Sequence, residues 1–163
     1  QPISHGDTCS RCPASPLAID GIRAQFLMQG TISQDVLRLK YNNLRAIATT
    51  LGRLLADFLD SQHISGQVLT PVPMHPQQER RLGYNQAHLL AKEAGRRLGI
   101  PVVPQMLSRL SNTPPQAKSQ GAEERRANVQ GSFQCLHPFL VNGLEVILVD
   151  DVCTTGATLA REA

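Results

Sequence analysis

The feature that most limits how this chain can fold lies near its end. Four consecutive apolar residues, Val146, Ile147, Leu148 and Val149, run into Asp150 and Asp151 and then into the turn T-T-G-A-T at residues 154–158. An unbroken apolar run of this length, bounded by polar residues, reads as a strand buried on both faces, as in a parallel sheet. The acids then sit where such a strand leaves the sheet, and the turn leads into a short helix-like stretch at 159–162. Ligands of open α/β sheets bind at the carboxyl ends of strands, and a helix start offers unpaired amides to phosphate. Carboxylates accept hydrogen bonds from sugar hydroxyls, whereas amides and threonine hydroxyls donate to phosphate oxygens. Acids followed by donors therefore fit one ligand carrying both a ribose and a 5′-phosphate.

The same order excludes the commoner phosphate loops. No Gly-Lys-Ser/Thr closes the turn, and no G-x-G-x-x-G precedes the helix. The competing reading is a buried strand and a capped turn whose acids are merely solvated. For an isolated Asp-Asp that reading would prevail; with the strand before and the Thr/Gly turn after, the ligand reading leads.

Along the rest of the chain, strand-like and helix-like stretches alternate, which predicts an α/β domain with a mostly parallel sheet. Residues 1–18 are rich in Pro, Ser and Cys and read as the remnant of a small cysteine-containing module; residues 19–163 form the main domain. Residues 19–27 read as a strand. From Ile32 to Phe58 apolar residues recur every three or four positions, which predicts one long amphipathic helix or two, with a break around 41–43. Residues 68–72 form the next strand. Tyr84, Ala87, Ala91, Ala94 and Leu98 line one face of a further helix that Gly99 is placed to stop, with Asn85 as its N-cap and Gln86 exposed to solvent. Residues 100–103 are a short strand or an extended run, and residues 111–121 a polar, proline-bearing loop. If the strands are parallel, the proline-rich exit at 71–76 lies at the same sheet edge as the acids.

Composition bounds the function classes. A chain of 163 residues, 41% hydrophobic and 18% charged, can bury one substantial core and is not a disordered polymer. No apolar run is long enough to span a bilayer and no secretory signal opens the chain, so a cytoplasmic protein with reduced thiols is expected. A net charge of +3 suits anionic small molecules or weak nucleic-acid contact and by itself establishes neither. Aromatic content of 4% argues against a base-stacking surface, so direct single-stranded DNA binding is expected to be weak or absent. Cys9 and Cys12 have zinc-ligand spacing, but a structural zinc needs four ligands and only His5 is nearby, so the site is incomplete as written.

Several segments together resemble the ComF/GntX family of type I phosphoribosyltransferase-like proteins. The apolar strand, paired acids and T-T-G-A-T resemble the 5-phosphoribosyl-1-diphosphate (PRPP) motif of type I phosphoribosyltransferases. T-P-V-P-M-H-P at 70–76 with R-R-L-G-Y-N-Q-A at 80–87 is similar to the family's P-V-P-x-H-P…R-G-[FY]-N-Q-A signature. P-P-Q-A at 114–117, E-R-R-A-N-V at 124–129, C-x-x-C at 9–12 and L-R-L-K-Y at 37–41 extend the match over most of the chain.

The resemblance implies a type I phosphoribosyltransferase-like fold that binds PRPP, or a related ribose 5-phosphate, together with Mg²⁺. Asp150 and Asp151 would hold the hydroxyls of the reacting ribose, and Thr154, Thr155, Gly156, Ala157 and Thr158 the 5′-phosphate. Arg80 and Arg81 would approach the diphosphate, with His75 either a ligand contact or a turn residue. Gln116, Arg125 and Arg126 fall in the segment that closes over PRPP in this fold, where the arginines would either meet the diphosphate or lie on a solvated face. Zn²⁺ would bind only if an upstream cysteine pair joined Cys9 and Cys12. The resemblance also implies that the chain is a fragment or truncated copy, lacking that first pair and a C-terminal helix and strand. Family relatives are linked to natural competence beside a helicase-like partner and recombination proteins. Either PRPP chemistry serving DNA uptake or a non-catalytic docking role follows.

Overall fold

The computed structural model describes residues 20–42, 44–110 and 133–153. Helices α1 (Gly30–Tyr41) and α2 (Ala46–Ser61) precede strand β1 (Val68–Pro71), which leads through α3 (Pro76–Leu82) into α4 (Gln86–Leu98). A short β2 (Leu107–Arg109), β3 (Phe133–Cys135), the single turn α5 (Pro138–Val141) and β4 (Val146–Val149) follow. The chain is α/β, with helices against a small parallel sheet.

That sheet sets the frame. β4 pairs parallel with β1 in the register Val68↔Val146 to Pro71↔Val149. On the other side of β1 a parallel bridge joins Leu69 to Val102, with Leu69 N donating to Pro101 O at 2.9 Å and Val103 N to Leu69 O at 2.9 Å. β1 is thus central and buried along its whole length, as its sequence V-L-T-P requires; its polar member, Thr70, satisfies its hydroxyl on Val103 O at 3.0 Å. β2 and β3 form a separate antiparallel pair, which the alternation of strands and helices did not predict.

The expected break in the Ile32–Phe58 pattern is real. α1 closes with Asn42 N on Arg38 O at 2.9 Å, and the chain turns before α2. α4 begins at Asn85, whose side chain accepts from His88 N at 3.4 Å, and ends at Gly99, which takes a left-handed φ of +71° that glycine adopts without steric cost. α2 and α4 pack closely because their contact faces are small: Ala48, Gly52 and Ala56 on one helix, Ala87, Ala91 and Ala94 on the other. A Cβ added at Gly52 would lie 2.6 Å from Glu93 Cβ, so nothing larger fits at that crossing. Leu39, Leu59, Leu69, Tyr84, Leu90 and Val149 complete the core.

The strand expected over 19–27 does not form. Residues 20–29 have no regular structure, and Gln25 Nε2 instead donates to Leu54 O at 2.8 Å, laying the segment along α2. The apolar composition read there as a strand stays exposed at Phe26, Leu27 and Met28. Alternating side chains make a strand only where a neighbour offers a free edge. Here the neighbour is a helix.

Candidate functional site

The parallel pairing of β1 and β4 brings both strand exits to one edge. Val72 N donates to Val149 O at 2.8 Å, so the proline-rich exit of β1 starts directly beside the residue that precedes the acids. From there the chain is fixed by local caps. His75 Nδ1 accepts from Gln77 N at 3.3 Å and Pro76 occupies the first helical turn, which together start α3. His75 is therefore a capping residue. Asn85, buried, donates from Nδ2 to Val72 O at 2.9 Å, tying the start of α4 to the same exit.

Asp150 and Asp151 follow β4 immediately. Asp151 N donates to Asp150 Oδ1 at 2.8 Å, which folds the first carboxylate back over the strand end. Burial pushes the Asp150 carboxyl up to about 7, and the neighbouring charge of Asp151 adds to the rise. Asp151 has a cationic partner: Lys40 Nζ of α1 lies 2.9 Å from its Oδ2, with side-chain exposures of 29% and 10%. The pair thus holds one carboxylate neutralised by a cation and one that takes up a proton near neutrality. Such an arrangement accepts hydrogen bonds from a diol while retaining little net charge.

α1 is held over this edge by two further contacts. Leu39 is wholly buried and its carbonyl accepts from the Tyr84 hydroxyl. Arg45, just after the α1–α2 turn, donates to Gly83 O at 3.2 Å and stacks its guanidinium 4.6 Å from the Tyr84 ring centroid. Much of the R-R-L-G-Y-N-Q-A segment is accordingly structural. Tyr84 and Asn85 are tie points, and Gln86, expected in solvent, is 4% exposed because the start of α4 turns it into the packed side of the helix.

The structure brings Asp150 and Asp151 together and places the exit of β1 beside them. Arg80 and Arg81 lie exposed in the last turn of α3, where neither pairs with another described residue. Thr154, Thr155, Gly156, Ala157, Thr158, Gln116, Arg125, Arg126, Cys9 and Cys12 lie outside the described residues. Among the described residues no group of three or more His, Cys, Asp and Glu side chains could hold a metal ion, and no helix is long and apolar enough to cross a membrane. Sequence reasoning missed Lys40. It lies in the L-R-L-K-Y segment at 37–41, but a lysine between Leu39 and Tyr41 on a helix carries no sign that its partner lies far along the chain at Asp151.

Comparison with known proteins adds a family to this geometry. The chain is 34% identical over 132 residues to competence protein F of Haemophilus influenzae, a match covering 75% of this chain and 56% of that protein. It is 31% identical over 160 residues to the DNA utilization protein YhgH of Salmonella typhimurium, covering 95% of this chain and 69% of the relative. The chain belongs to the ComF family. A ComF-family protein of Bacillus subtilis, competence protein ComFC, is 29% identical over 136 residues, which cover half of its length. The chain thus spans about half to two thirds of the curated ComF relatives it matches. No family model matches the sequence, and no solved structure is a significant match.

Proposed function

We propose that this chain is a PRPP-binding protein of type I phosphoribosyltransferase-like fold that serves DNA uptake. The observation that carries the reading is the Asp150–Asp151 pair at the carboxyl end of β4, beside the exit of β1. That is where an open parallel sheet receives a ligand, and the acids are followed in sequence by the T-T-G-A-T donors. In this reading Asp150 and Asp151 accept the 2′- and 3′-hydroxyls of the ribose, and Thr154 to Thr158 hold the 5′-phosphate. Arg80, Arg81, Arg125 and Arg126 are the cations available to the diphosphate.

The donor set suits Mg²⁺, which prefers oxygen and keeps several waters. Bound on the diphosphate, Mg²⁺ would offset the charge that develops as that group departs. The chain's own part is to fix the ribose and keep its hydroxyls hydrogen-bonded. In a transfer reaction the C1–oxygen bond to diphosphate breaks as a nucleophile, typically nitrogen, bonds to C1. The names of the relatives, competence protein and DNA utilization protein, support the cellular role.

A second reading, an accessory protein that docks on DNA-uptake factors, is favoured by the apolar stripe Leu37, Tyr41 and Leu44, exposed along α1 and its turn. The two readings share one test. Calorimetric titration with PRPP and Mg²⁺ should show saturable binding, partly competed by ribose 5-phosphate and lost in the Asp150→Asn/Asp151→Asn double variant. Unchanged affinity in that variant would remove the acids from the site. Saturable binding with normal transformation by the double variant would favour the docking role.

A further inference from the structure

We propose that Lys40 is the positioning residue of the acidic pair, holding the Asp151 side chain oriented at the strand end for a phosphorylated pentose. The inference rests on the ribose-phosphate reading of this site and adds to it a residue from the opposite end of the chain.

Three observations converge on Lys40. The contact is close and largely withdrawn from water, 2.9 Å with Asp151 only 10% exposed. Pairs of this kind gain little stability against apolar replacements, because desolvation offsets the attraction, but they do fix geometry. The lysine stands on a rigid base: its neighbour Leu39 is fully buried and receives the Tyr84 hydroxyl on its carbonyl, so the backbone that carries the ammonium cannot drift. Lys40 also lies in the last turn of α1, where a cation is favoured by the helix dipole.

The charges acting on the pair explain the need. Asp150 feels Asp151 from its own strand end and Lys40 from α1. Two adjacent, mostly buried carboxylates cannot both ionise unaided. A protonated carboxyl turns one of its oxygens into a donor, so a cation beside the pair leaves more acceptors for a ligand that presents two hydroxyls. Lys40 has three donors and only one is needed for Asp151; the others remain available to an anionic group on the same ligand.

The test compares wild type, Lys40→Met and Lys40→Arg. Each is titrated with PRPP and Mg²⁺ by calorimetry from about pH 6 to about pH 8.5, with thermal unfolding run alongside. Lys40→Met should bind about tenfold or more weakly near neutral pH. The deficit should narrow as rising pH ionises Asp150 without help, and Lys40→Arg should recover most of the affinity. Wild-type affinity in Lys40→Met would overturn the proposal. So would a loss that is equal at every pH and not recovered by arginine, which is the mark of a merely structural lysine. If the wild-type protein itself fails to bind PRPP, the ligand reading fails, and Lys40 is judged by carbon NMR titration of the acidic pair. Lys40→Met should then raise the Asp150 midpoint, because Lys40 opposes its rise, and an unmoved midpoint would overturn the positioning role.

Discussion

Across the α2–α4 seam, Arg97 meets Asp57 at 2.8 Å and Arg53 meets Glu93 at 3.3 Å, with Arg96 of the same helix also on Glu93, at the rim of a contact whose centre is alanine and glycine. At the carboxyl edge of the sheet, Lys40 meets Asp151 at nearly the same distance, beside a second carboxylate with no cation of its own among the described contacts. The seam pair is about half exposed on each side, 49% and 55%, whereas Asp151 is 10% exposed. Equal distances therefore have unequal meaning. In water the Arg97–Asp57 pair decorates a joint that small side chains already hold; at the edge, burial makes each charge costly unless something binds it. The seam is built for stability. The edge accepts a stability cost at the place where we propose a ligand binds.

The strongest way to break this comparison is to spoil the seam itself. Gly52→Val would push a side chain into Glu93 and the Leu90 carbonyl, and should cost about 3 kcal/mol by overpacking, read as a lower denaturation midpoint in urea. A near-neutral result would mean that the helices separate easily and that the small residues do not define the joint.

The next effect has the opposite sign and belongs to the edge. Asp150 has an ordinary value of 3.8 and is held at about 7 in the folded protein. Between those values the folded state keeps a proton that the unfolded chain has released, so stability falls as pH rises from about 4 to about 7 and stays reduced above. Asp150→Asn removes that penalty. The variant should be roughly 2 kcal/mol more stable than wild type at about pH 8, with the advantage shrinking as pH falls toward about 4, while losing ligand affinity. Equal stabilities of variant and wild type at both ends of that range would show that Asp150 is not strained by burial.

The smallest change sharpens the contrast. Arg97→Ala should alter stability by less than about 0.5 kcal/mol, since its partner Asp57 stays solvated, and added salt should leave even that difference undetectable. A loss comparable to Gly52→Val would mean that the rim charges, not the small-residue centre, hold the seam.

The chain's own order determined much of this protein. The strand before Asp150, the periodicity from Ile32 to Phe58 with its break, and the α4 face bounded by Asn85 and Gly99 were legible, because helix and strand periods and caps are local properties of sequence. The burial of that strand on both faces was not: Val146 is exposed, Ile147 and Leu148 are half-buried and only Val149 is fully buried, because cover on each face is set by what packs there. The motif segments carried the family as well. Tertiary structure alone decided three things. Residues 20–29 lie as an irregular segment on α2, because a strand needs a partner that no local pattern can supply. Gln86 became buried and the Tyr84 hydroxyl found the Leu39 carbonyl, since which face of a helix start is covered depends on what packs there. Lys40 met Asp151 across 111 positions of sequence, a juxtaposition set by the fold of α1 over the sheet edge and by nothing in the residues around either one.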